Sequence, residues 1–159
     1  MYIIDTGINL DHVEFEGRAS WGKTYPTGDN EADENGHGSH CAGTIGSRKY
    51  GVAKKANLVA VRVLGADGSG AMSDVIAGVA YASQQAQEKA EAARAEVAAT
   101  GKTAHRGSVA NMSLGGSKSP ALNTIIDRSV DAGLHFAVAA GMQIARKCPT
   151  LLLILYRQR

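Results

Sequence analysis

The chain has 159 residues, within the range of one domain. It is 44% hydrophobic and 20% charged, which excludes a wholly disordered or collagen-like chain. Seventeen basic against fifteen acidic residues leave a formal charge of +2, too weak to argue for nucleic acid or an acidic membrane surface.

Tyr2-Ile3-Ile4 is a short apolar run of the buried-strand kind, ending at Asp5-Thr6-Gly7. A carboxylate leaving the C-terminal end of a buried strand is where α/β folds place function. The chain begins inside that strand, so further N-terminal sequence is expected. Residues 9 to 36 are polar and turn-rich, with an acidic loop from Asp29 to Glu34. His37 to Gly46 is rich in small residues and predicts a short, closely packed helix. Leu58 to Leu64 reads as a strand, followed by the glycine-rich Gly65 to Gly70. Ser73-Asp74 offers a helix start. The pattern runs through Val75, Ile76 and Val79 to about Thr100, and its half from Gln84 to Ala99 has almost no large apolar residues. That half predicts a solvated extension, ended by Gly101. Ser108 to Ser113 is a third strand, Pro120 opens a helix that Gly133 ends, and His135 to Ala140 is a fourth strand. Strands alternating with helices four times predict a parallel sheet with right-handed crossovers. No run approaches the roughly 18 apolar residues of a membrane span. Leu151 to Tyr156 is far too short, and no signal peptide is visible at the N-terminus.

Several segments could carry chemistry. A buried Asp5 at a strand end can accept a hydrogen bond from an imidazole and stabilise its protonated form, or serve as a turn or cap aspartate. His37 at a helix start can be held on one side and exposed on the other, as a base must be, or lie idle on the surface. His40, one turn on, reads as a packed structural histidine sharing a face with His37. Gly68-Ser69-Gly70 and Ser113-Leu114-Gly115-Gly116 are either ordinary turns or two edges that grip an extended peptide by main-chain hydrogen bonds. His37, His40 and Cys41 are possible zinc ligands, but Gly38 breaks the His-Glu-x-x-His pattern. Gly65 to Gly70 lacks the spacing of a phosphate-cradling loop. Two cysteines, Cys41 and Cys148, make no disulfide framework.

Six segments in order resemble the subtilisin-like serine proteases, of the proteinase K branch and nearest its vacuolar cerevisin-type group. They are Tyr2 to Asn9, Gly36 to Thr44, Tyr50 to Ala56, Val63 to Gly70, Ala110 to Gly116 and His135 to Gly141. The polar stretch near residues 84 to 106 is similar to that group as well. The resemblance implies a three-layer α/β fold with a mainly parallel sheet, of which residues 1–141 would be the N-terminal part and the C-terminal half would be absent. It implies that Asp5 and His37 are the triad aspartate and histidine. Gly68, Ser69 and Gly70 match the strand that pairs with substrate on one side, and Ser113, Leu114 and Gly115 match the other. Cys41 matches a buried free cysteine beneath the triad histidine, so sensitivity to thiol reagents is expected. The partners implied are an extended polypeptide substrate or a propeptide-like inhibitor, with no nucleic acid and no membrane. A monomer and a vacuolar or extracellular setting are expected. No cofactor is expected. Calcium is common in the family, and the acidic loop Asp29 to Glu34 is either a cation site or a solvated surface.

The resemblance stops at residue 142. The family has an asparagine there, whose amide donates to the oxyanion and lowers the barrier by roughly 3–4 kcal/mol. This chain has Met142, and a thioether donates no hydrogen bond. None of the eleven serines lies in the Gly-Thr-Ser-Met-Ala setting of the family's nucleophile. Residues 142–159 are expected to be a tail foreign to the family, from a truncated product or a mis-joined reading frame. The expectation is therefore a serine endopeptidase by family, inactive as this chain is written. The alternative is a non-catalytic peptide-binding pseudoprotease.

Overall fold

The computed structural model describes residues 1–28 and 30–139. Its element order is β1 (Tyr2–Asp5), a 3-10 turn (Val13–Phe15), β2 (Ala19–Thr24), α1 (His37–Gly46), β3 (Leu58–Arg62), α2 (Met72–Thr100), β4 (Val109–Met112), α3 (Pro120–Asp131) and β5 (His135–Val138). The five strands form one sheet in the order β2-β3-β1-β4-β5, every pair parallel. β1 therefore lies in the middle, and its four residues are all buried.

Side chains alternate across the sheet and divide the core in two. Tyr2, Ile4, Val61, Met112 and Phe136 face α2 and α3, together with Val75, Val79, Ile126 and Val130. Ile3, Leu58 and Ala60 face the other way, against Ala42 of α1 and Phe15 of the 3-10 turn. Helices thus cover both faces, giving the three-layer α/β arrangement expected.

β2 was absent from the expected strands. Its sequence, Ala-Ser-Trp-Gly-Lys-Thr, has little apolar alternation because it forms the sheet edge and is nowhere fully buried. Its register on β3 shifts between Trp21 and Lys23, around Gly22. A Cβ on Gly22 would lie 2.8 Å from the Ala60 carbonyl oxygen, so the bulge needs glycine. β1 runs one residue past its apolar run, to Asp5, while β3, β4 and β5 are each two residues shorter than the expected strands; Ala140, the end of the expected fourth strand, lies outside the described residues.

Ser73 is not the cap of α2. The helix starts at Met72 after Ala71, which makes no side-chain cap bond. Gly101 ends it as expected, with φ 73° and its N–H on the Val97 carbonyl. The last residue of α2 buried in the core is Ala86, so the distal half is solvated as its composition predicts. α3 has Pro120 in its first turn, capped by Ser119, whose hydroxyl accepts from the Leu122 N–H. Met142 and the 142–159 tail lie outside the described residues.

Candidate active site

The site forms where β1 ends and α1 begins. Asp5 is the last residue of β1 and is fully buried. His37 is the first residue of α1, with its side chain 47% exposed. Its Nδ1 lies 2.8 Å from Asp5 Oδ1. The same Asp5 oxygen accepts the Thr6 N–H at 2.7 Å. Asp5 Oδ2 is buried and has no hydrogen-bond partner among the described residues. An ionised carboxylate accepts only, so the imidazole donates through Nδ1 and its Nε2 is left as the basic nitrogen.

Close backbone approach makes this geometry possible. A Cβ on Gly38 would collide with the Gly7 carbonyl oxygen, and Gly7 itself has φ 118°. Two glycines therefore let the exit of β1 pass against the first turn of α1. The Gly38 N–H donates to Thr6 Oγ1 at 3.0 Å, and Thr6 Oγ1 donates in turn to Asp33 Oδ1 at 2.8 Å.

Asp33 is the residue that sequence reasoning missed. Gly36, the N-cap of α1, has no side chain to cap with. Asp33 reaches in from the preceding loop instead: Oδ1 accepts the Gly36 N–H at 2.8 Å, and Oδ2 accepts the Ser39 N–H at 2.8 Å and the Ser39 hydroxyl. Burial pushes its carboxyl up, but these bonds from Ser39, Gly36 and Thr6 outweigh it and hold it below the usual range. Its neighbour Glu34 pairs with Arg62, whose fully buried side chain also donates to the Asn30 and Ala32 carbonyls. Asp33 and Glu34 are thus engaged by N–H, hydroxyl and guanidinium donors.

His40 is exposed, contrary to the packed role expected of it. His37 lines one cavity and His40 a second, beside His12, Thr44 and Tyr50. Cys41 is a free, half-buried thiol with Sγ 4.0 Å from His37 Nδ1. Burial pushes the thiol up; a hydrogen bond with Ser113 works against this, and the charges of Asp5 and Asp33 add to the rise.

Both glycine-rich segments reach the same place. Gly68, Ser69 and Gly70 on one side and Ser113, Leu114 and Gly115 on the other line a groove of about 1030 Å³ that also holds Thr6 and His37. The first segment is an exposed turn, closed by the Gly65 N–H on the Ser69 carbonyl at 2.8 Å and by the Ser69 hydroxyl on Asp67. It is tethered to the loop before His37 by the Asn35 amide, which donates to the Ala66 carbonyl at 2.9 Å. The second segment follows β4, and Ser113 accepts from the Asn111 amide at 3.0 Å. The floor is apolar, with Met72, Val75, Leu122 and Ile126.

The subtilase (Peptidase_S8) family model matches residues 2–146. The chain belongs to the subtilase family. It is 60% identical over 148 residues to alkaline protease 2 of Aspergillus fumigatus, covering 92% of this chain and 29% of that protein. The subtilisin-like serine protease pepC of Aspergillus niger is also 60% identical, with 92% and 27% covered. A solved cold-adapted subtilisin-like serine proteinase superimposes with a TM-score of 0.71 at 42% identity, over 88% of this chain and 45% of that one. This subtilase chain therefore spans less than a third of the length of the curated relatives it matches, and its three-layer sheet is the fold of that partial span.

Proposed function

We propose that this chain carries two groups of a subtilase triad, Asp5 and His37, and both edges of the groove that holds an extended polypeptide. The observation that carries the reading is the 2.8 Å contact between a fully buried aspartate and a half-exposed histidine that lines that groove. In such a triad the aspartate fixes the imidazole tautomer and stabilises the imidazolium, while Nε2 takes the proton of a serine hydroxyl and returns it to the leaving amine. Gly68 to Gly70 and Ser113 to Gly115 would pair with substrate main chain on either side, as strands added to a sheet edge do.

The reaction needs a nucleophile and an oxyanion donor besides. Ser113 lies in the groove wall, none of the eleven serines has the family's nucleophile setting, and residue 142 is Met. On this reading the chain is a serine endopeptidase by family that does not hydrolyse peptides as written, and the alternative is a non-catalytic peptide-binding pseudoprotease; residues 1–141 are read as the subtilase part and 142–159 as a tail, although the family match itself reaches residue 146. Its ligand would be an extended polypeptide or a propeptide-like inhibitor, its state monomeric, and its compartment vacuolar or extracellular, all by family likeness. Among the described residues no helix is long and apolar enough to cross a membrane. No calcium residue is assigned, and no step passes through a metal.

A fluorophosphonate probe tests the reading together with a labelled extended peptide. The expected result is saturable peptide binding, no phosphonylated serine and no cleavage. Cleavage that disappears in Asp5→Asn and His37→Ala would show that a serine of this chain completes the triad, and would overturn the inactive reading.

A further inference from the structure

We propose that Asn35 is a self-modification site, whose side-chain amide closes on the Gly36 backbone nitrogen to a cyclic imide that water opens to aspartate or isoaspartate. Of the six asparagines, Asn35 alone is followed by glycine. The others precede Leu10, Glu31, Leu58, Met112 and Thr124, whose side chains crowd the next backbone nitrogen. Gly36 has φ 93°, and nothing lies within 4 Å of where its Cβ would be. The nitrogen is therefore open to approach, and both residues are exposed to the water that opens the ring.

Three polar partners set the reacting groups. Asp33 Oδ1 accepts the Gly36 N–H at 2.8 Å, within the reach of a general base. The Asp33 carboxyl is held below the usual range by its donors, so it is ionised at neutral pH and can accept. The His37 N–H donates to Asn35 Oδ1 at 3.3 Å, and the positive end of α1 lies behind it. Negative charge that develops on that oxygen during attack is stabilised there, as in an oxyanion hole. Asn35 Nδ2 donates to the Ala66 carbonyl at 2.9 Å, which turns the oxygen end of the amide toward α1.

The step balances without any oxidant. The Gly36 nitrogen bonds to Asn35 Cγ and gives its proton to Asp33. The Cγ–Nδ2 bond breaks, and Nδ2 leaves as ammonia with that proton. Water added at Cγ restores the main chain and leaves an aspartate. Water added at the Asn35 backbone carbonyl leaves the main chain running through Cγ, an isoaspartate. One water enters, one ammonia leaves and the chain gains a negative charge. The new carboxylate cannot donate to Ala66, so the tether between the loop before His37 and the Gly65–Gly70 turn is cut. The charge also falls beside Asp33, which accepts the Asn35 N–H at 3.3 Å. None of this chemistry depends on peptide hydrolysis or on the triad reading.

The test is peptide mapping by mass spectrometry of the full 159-residue chain, incubated at neutral pH both folded and in urea. Folded, Asn35 should convert to a mixture of isoaspartate and aspartate while the other five asparagines stay intact. Its rate should at least equal that in urea, where only the Asn-Gly sequence acts. Asp33→Asn still offers an oxygen to the Gly36 N–H but takes no proton, and should slow the folded chain by at least about tenfold and leave the rate in urea unchanged. The comparison with urea needs no variant and covers the case in which Asp33→Asn fails to fold. Amide exchange across residues 65–70 should be several-fold faster in the converted chain. Slower conversion folded than in urea, aspartate without isoaspartate, a rate unchanged in folded Asp33→Asn, or equal amide exchange would each overturn the proposal.

Discussion

Asp33 holds two elements at once. It receives the N-terminal N–H groups of α1 on one side and the hydroxyl of Thr6, next to Asp5, on the other. Removing it uncaps the helix and frees Thr6 together, and Asp33→Ala is expected to cost about 1–2 kcal/mol in urea unfolding. A second residue prediction concerns Gly38, where a Cβ would strike backbone rather than a yielding side chain. Gly38→Ala should cost about 3 kcal/mol and separate His37 from Asp5, read as loss of the hydrogen-bonded Nδ1 proton signal of His37. At this scale the places of Asp5 at a strand end and His37 at a helix start were legible, but position left each with a bland alternative, and only the family resemblance implied that they pair. Asp33 was not legible, because loop composition does not distinguish a carboxylate in water from one that caps a helix four residues on. His40 misled for a related reason: spacing of three places two residues near one helix face, but the boundary between two cavities runs between them.

Elements were legible where one physical demand dominated. Central strands buried on both faces must be continuous apolar runs, and β1 and β3 are. β2 faced no such demand at the edge, so its polar sequence carried no strand signal. α2 shows both conditions along one helix. Val79 is fully buried under the sheet, whereas Val97 near the distal end is 44% exposed. Val79→Ala removes two core methyl groups and leaves a cavity, at a cost of about 2–3 kcal/mol. Val97→Ala should change stability by no more than about 0.5 kcal/mol. Chemical denaturation midpoints of the two variants check the contrast; equal losses would mean that the distal half of α2 is packed rather than solvated.

Across the molecule, the groups with shifted ionisation set how stability follows pH. Asp33 is held low, as are the carboxyls of Glu14, through the Lys49 N–H, and Asp67, through the Ser69 hydroxyl and N–H. A carboxyl whose folded value is depressed stabilises the fold above its unfolded value of about 4, and that contribution is lost as pH falls through the folded value. Asp67 is exposed and contributes little, so Asp33 and the partly buried Glu14 should carry the acid limb. Tyr2 has the opposite sign. Burial on the central strand, with the phenol of Tyr81 adding, pushes its phenol up to about 12. The folded state prefers the neutral ring, so this contribution is complete below about pH 10 and disappears as pH rises toward about 12. Stability measured from about pH 2 to 12 should therefore fall at both ends. Asp33→Asn should flatten the acid side alone and Tyr2→Phe the alkaline side alone. An acid limb unchanged by Asp33→Asn would mean that the carboxylate is not charged at the start of α1, and its role as the cap that aligns His37 with Asp5 would fail with it.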